Sequence, residues 1–224
     1  MHEAPIIFPV NVLVAMGIPS FVAFSWIATI IIIGVALLVS RSMKLVPSGT
    51  QNVVEVLMEF ILNIVDTSIG HMGRYFFPLV GTLFIYILVS NFLGLFPGCE
   101  APTGNLNTTA ALAIPVFLAT HYYGIKIHKA GYLNHFVGPI RSLAALPLMI
   151  LMFFIEIIGH IARPITLSVR LFGNMTAKHM LLLLAPWILP VPILILGVLV
   201  SGVQALVFTL LTALYLAGAV EEAH

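Results

Sequence analysis

Glu156, His160, Arg163, Arg170, Asn174 and Lys178 recur at helical spacing within one apolar stretch. At about 100° per residue they fall within an arc of about 80°, ignoring any kink at Pro164, and at about 1.5 Å of rise per residue the stripe is about 33 Å long, enough to traverse most of a membrane. Arg170 is its most demanding member. It sits in the run Arg163-Pro164-Ile165-Thr166-Leu167-Ser168-Val169-Arg170-Leu171-Phe172-Gly173-Asn174-Met175, and a guanidinium cannot shed its proton to escape hydrocarbon. Placing one at a helix centre costs roughly 2.5 to 3.5 kcal/mol, so the residue is expected to face a bundle interior, a partner charge or an ion pathway.

Within the stripe, Glu156 can pair with His160 or Arg163, and Arg170 can bond to Asn174, which would make these residues a self-satisfied buried set. That account leaves Arg170 short of an anion. No acid in its helix is closer than Glu156, about 21 Å away along the axis, so its counter-ion is expected on another subunit. His179 lies about 140° from Glu156, off the stripe, and is either a neutral buried histidine or a proton relay. In the final apolar stretch Gly197, Ser201, Gln204 and Tyr215 share a face. The small residues allow close helix approach, and Gln204 can hydrogen-bond across the contact, as interhelical glue or as a functional partner.

Other chemistries find no support. The 8 histidines and single cysteine, Cys99, form no His-Glu-x-x-His or Cys-x-x-Cys, so no metal site or cofactor is expected, and the lone thiol leaves the redox compartment open. There is no phosphate loop and no Gly-x-Ser-x-Gly, so the chain by itself is not expected to be an enzyme. A formal net charge of +1 with scattered basic residues argues against nucleic acid as a partner.

The elements that must position these residues are membrane helices. The chain is 61% hydrophobic and 8% charged, with a mean hydropathy of +1.14, which places it among polytopic all-α membrane proteins forming a single membrane domain over residues 1–224. Met1 to Phe8 lacks a basic leader, so the apolar run at 20–40 is expected as a retained first span, followed at once by Arg41 and Lys44. Residues 48–72 carry Glu55, Glu59, Asn63 and Asp66 at helical spacing between apolar residues. If that segment spanned, Lys126, Lys129 and Arg141 would fall outside, so it is expected to be an amphipathic helix on the cytoplasmic surface. Residues 75–127 read as a hairpin whose outer turn, 97–107, has Glu100 as its only charge, with Tyr122, Tyr123 and Tyr132 as interfacial anchors. Residues 143–220 form a pair of helices interrupted at 186–190. Each is too long for a bilayer of about 30 Å unless steeply tilted, curved or broken, and Pro164 permits a kink. The total is about five spans plus one surface helix.

The run Arg170-Leu171-Phe172-Gly173-Asn174-Met175, with Pro164 and Ser168 upstream and Gln204 downstream, resembles the signature of subunit a of the F-type ATP synthase membrane (Fo) sector. Asn91-Phe92-Leu93-Gly94-Leu95-Phe96-Pro97-Gly98 and Asn105-Leu106-Asn107-Thr108-Thr109 resemble the same family, which thus covers nearly the whole chain after the first helix. The resemblance implies a stator subunit in a bacterial inner membrane, with its N-terminus outside and its C-terminus in the cytoplasm. Its last two helices would pack, tilted, on a rotating ring of c subunits, and peripheral-stalk b subunits and the rest of the ATP synthase would be further partners. By position, Arg170 resembles the essential stator arginine, Asn174 and Gln204 its polar neighbours, and Glu156 and His179 residues lining two aqueous half-channels. Position 179 varies between histidine and glutamate in the family. Its usual partner falls at Gly197 here, so water, His179 or an acid such as Glu100 is expected to substitute. By the resemblance, a ring carboxylate reaching Arg170 would release an ion, expected to be a proton, into one half-channel and take up another from the second. The alternatives drawn from the residues alone are a self-contained channel or secondary transporter with Arg170 holding an anion at midplane, and an assembly subunit, which leaves Arg170 unexplained.

Overall fold

The computed structural model describes residues 8–41, 43–47, 49–96, 98–129, 146–184 and 190–220. Among these, the regular structure is helical with no strand: α1 Phe8–Ala15, α2 Ser20–Arg41, α3 Thr50–Ile69, α4 Gly73–Leu93, α5 Leu106–His128, α6 Leu146–Leu184 and α7 Pro190–Val220. α2, α4, α5, α6 and α7 are long and apolar enough to cross a membrane. Five such helices among the described residues meet the expected number of spans. Tyr132, Arg141, Pro97 and the expected break at 186–190, apart from Pro190 itself, lie outside the described residues.

One short helix was not anticipated. α1 ends where Gly17 adopts φ 88° and lets the Ile18 N–H reach back to the Leu13 carbonyl at 3.1 Å, after which Pro19 leads into α2. A left-handed glycine closing a helix in this way satisfies carbonyls that would otherwise be orphaned. Val10 then packs with Ala23 and Phe24 of α2 in a small apolar cluster that also touches Leu93 and Cys99.

The larger core lies where α3 to α7 meet. Ile61 and Val65 of α3, Val80, Phe84 and Ile87 of α4, Val116 of α5, Leu171 of α6 and Phe208 and Leu216 of α7 share it. Outside it, apolar side chains point outward: Ile30 and Leu38 of α2 are 68% and 69% exposed. A water-soluble domain would not leave so many such residues on its surface, and a lipid-facing one must.

The non-crossing path of α3 follows from its neighbours. Ser20 at the start of α2 donates its hydroxyl to Glu100 in the α4–α5 connection, and α2 packs against α4. These helices have 22 and 21 residues, so their far ends, Arg41 and Gly73, lie at a common end of the bundle. α3 joins those ends and must start and finish on that side. Its exposed Glu59 and Asn63 sit opposite buried Ile61 and Val65, as an interfacial helix requires.

α6 has 39 residues, about 58 Å of helix at 1.5 Å per residue, against about 30 Å of hydrocarbon. It continues through Pro164, which supplies no N–H to the His160 carbonyl. Length alone obliges α6 to tilt, curve or project from the bilayer.

Candidate functional site

The polar stripe of α6 is not one surface. Leu167, Ser168, Leu171, Met175 and Lys178 are buried against the bundle, whereas Arg170 and Asn174 stand exposed on the flank. The six residues share an arc, but its edge carrying Arg170 lies outside the helix contact. Asn174 turns inward to α7: its Nδ2 donates to Gln204 Oε1 at 2.6 Å. Gln204 is 4% exposed and Ser201, one turn away, is fully buried, so the predicted face of Gly197, Ser201 and Gln204 is the packed face of α7. Asn174 and Gln204 are thereby brought together, one helical turn from Arg170. Among the described residues no hydrogen bond or ion pair engages Arg170 itself.

Lys178, which had no assigned role in the stripe, is held in a buried polar network. Its Nζ donates to the Asn91 carbonyl at 3.2 Å, and Thr103 Oγ1 donates to Asn91 Oδ1 at 2.6 Å. Gly197 makes this possible. A Cβ on it would lie 2.7 Å from Leu95 Cδ2 and 3.4 Å from Lys178 Cδ, so the lysine stem and Leu95 occupy the space a side chain would need. The network was out of reach of the sequence, because it depends on which α4 carbonyl faces α6. The polar Asn91 in an apolar run was its only visible trace.

At the other end of α6, Glu156 Oε1 lies 3.3 Å from His160 Nδ1 and 4.0 Å from an Arg163 amino group. The Arg163 guanidinium also stacks 5.2 Å from the Tyr215 ring of α7, and His160 meets His121 of α5 edge-on at 5.2 Å. Here the residues do satisfy one another. Glu156 is only partly buried and its side chain remains accessible at that end of the bundle.

His179 is exposed and separate from both clusters. It lines a cavity of about 600 Å³ together with Ser20, Glu100, Asn105, Thr176 and Lys178, at the junction of the α1–α2 elbow, the α4–α5 connection and α6. Asn105 caps α5 by accepting from the Asn107 N–H at 2.9 Å. Burial pushes the Cys99 thiol in that connection up from its ordinary pKa. No group of three or more potential metal ligands occurs among the described residues.

Glu156 and the cavity lined by Glu100 and His179 thus lie on either side of Arg170 along α6. The family model described as ATP synthase A chain matches residues 22–217. The chain is 50% identical to ATP synthase subunit a of Trichlorobacter lovleyi and 49% identical to that of Geobacter sulfurreducens, each over 91% of this chain and 88% of the relative. It is 47% identical to ATP synthase subunit a 1 of Pelobacter propionicus over the same shares. This multi-pass membrane protein belongs to the ATP synthase subunit a family.

Proposed function

We propose that this chain is the stator ion-channel subunit of the Fo sector of an F-type ATP synthase, carrying protons between two offset half-channels past Arg170. The observation that carries the reading is the setting of Arg170, exposed beside the outward-facing Ile165 and Val169 and one turn from an asparagine anchored to buried Gln204. A permanent cation on an apolar outer face needs an anion from a partner. A carboxylate on each member of a c ring, passing in turn, would supply it.

In this reading Arg170 keeps a fixed field because guanidinium does not deprotonate, and its two-pronged donor geometry suits a carboxylate. The field favours the ionised ring carboxylate, promoting release into one half-channel, and blocks a direct leak between the two. Glu156 gathers cations at the inner mouth and His179 serves the outer one, while Asn174 and Gln204 hold the flank on which Arg170 stands. The membrane potential contributes about 2.3 kcal/mol per charge per 100 mV, so several transfers must accumulate for each nucleotide. The chain is non-catalytic, and nucleotide chemistry belongs to other subunits of the synthase.

Orientation rests on charge. Arg41 ends α2, Arg74 opens α4 and Lys126 lies in the last turn of α5, so basic residues gather at the bundle end opposite Glu100. The positive-inside rule makes that end cytoplasmic in a bacterial inner membrane, with the N-terminus outside and the C-terminus in the cytoplasm. The c ring, peripheral-stalk b subunits and the rest of the synthase are the partners. Purification in mild detergent tests the reading: a small hairpin proteolipid should accompany the chain in stoichiometric excess. Ion flux through liposomes containing this chain alone would contradict it.

A further inference from the structure

We propose that Glu100 is the ion-accepting carboxylate of the cavity beside His179 and passes protons to that histidine; the inference rests on the stator reading above. Among the described residues of the cavity wall, Glu100, Lys178 and His179 are the charged or titratable side chains, and Glu100 is the single acid. Position 197 offers no alternative, since Gly197 has no side chain and the space beside it is filled by Leu95 and the Lys178 stem.

The surroundings fit that role. Lys178 is buried and its ammonium is committed to the Asn91 carbonyl, so it adds positive charge to the wall and opposes cation entry. A carboxylate on the same wall offsets that repulsion. Glu100 is also held in place, because Ser20 donates its hydroxyl to Glu100 Oε2 and ties the acid to the start of α2. The cavity of about 600 Å³ has room for a chain of waters, each about 30 Å³ in the liquid. His179 lines this cavity about 13.5 Å from Arg170 along α6 by helical rise, and Met175 and Thr176 carry the cavity wall on toward Arg170.

The proton balance is simple. A hydronium from the outer phase protonates the Glu100 carboxylate. The acid passes that proton through cavity water to the neutral imidazole of His179, and Glu100 returns to its ionised form. The imidazolium then releases the proton toward the ring carboxylate and becomes neutral again. Ser20 is a positioning residue for the first step.

The test uses the assembled synthase in inverted membrane vesicles, with ATP-driven proton pumping followed from about pH 6 to about pH 9 across the histidine range. Glu100→Gln should lower pumping about 10-fold, the lower end of what a focusing charge contributes, and shift the pH profile. Glu100→Asp should recover most of the flux. Ser20→Ala should lower it about two- to threefold, the effect of one lost hydrogen bond of about 0.5 kcal/mol, with a moved profile. Wild-type flux and profile in Glu100→Gln, while Arg170→Lys abolishes pumping, would overturn the assignment and leave the stator reading standing. Normal pumping in Arg170→Lys would instead remove the stator reading. If Glu100→Gln fails to assemble, Ser20→Ala decides: an unchanged flux and profile there would overturn the assignment.

Discussion

Asn174 donates its side-chain amide to Gln204 at 2.6 Å, and this bond joins α6 to α7 one helical turn from Arg170. Because Gln204 is buried, losing the donor leaves an amide oxygen without its partner inside the helix contact. Asn174→Ala should therefore destabilise the packed pair by about 0.6 to 2 kcal/mol, the span for interhelical bonds in membranes. Denaturant titration in detergent measures it. The exchanged pair Asn174→Gln with Gln204→Asn should recover part of the loss, and fully additive single effects would show that the two side chains do not interact.

Gly197 and Lys178 make a second coupled pair. A methyl group at position 197 would press on the Lys178 stem at 3.4 Å and displace the end of Leu95. Gly197→Ala should cost about 1 kcal/mol, since a flexible leucine end can move, and Gly197→Leu about 3 kcal/mol, as overpacking does. Lys178→Ala should relieve part of the Gly197→Leu penalty. Equal penalties with and without the lysine would place the crowding elsewhere.

Much of this was legible in the sequence, for physical reasons. Spans show as apolar runs of bilayer length, and α3 was marked as a surface helix by Glu55, Glu59, Asn63 and Asp66 at helical spacing together with the side on which Lys126 and Lys129 would otherwise fall. The pairing of Glu156 with His160 and Arg163 followed from local helical spacing. What could not be read was which edge of the α6 arc faces the bundle, because periodicity fixes relative angles and not the neighbour. Hence Lys178 proved buried and Arg170 exposed, although both lie in one stripe. Ser20 and Glu100 are 80 residues apart, and only the tertiary fold brings them together. α1 is too short and too uniformly apolar for its helical period to stand out.

In the proposed function Glu156 contributes charge at the inner mouth without taking part in the obligatory exchange. Glu156→Gln should slow proton flux by about 10-fold or less, the low end of electrostatic focusing, and should weaken with added salt. Complete loss of coupled transport would give Glu156 a direct part in the exchange.

Cys99 is a native reporter of both topology and burial. Its thiol is pushed up by burial, so the reactive thiolate fraction at neutral pH is smaller than for a free cysteine. An impermeant maleimide added from outside should label it slowly, with a rate still rising at pH 9.0, the ordinary thiol value. A rate that has already levelled off below that pH, or labelling only from the cytoplasmic side, would contradict the burial or the orientation respectively.

Arg170→Lys separates a fixed, two-pronged stator charge from a positive charge of any kind at that position. Lysine retains a positive charge but loses the bidentate geometry and can deprotonate when desolvated. In membranes where the synthase still assembles, ATP synthesis driven by an imposed proton gradient should fall by at least about 100-fold, a loss of about 2.7 kcal/mol or more in the transfer step. Synthesis at near wild-type rates would contradict the account.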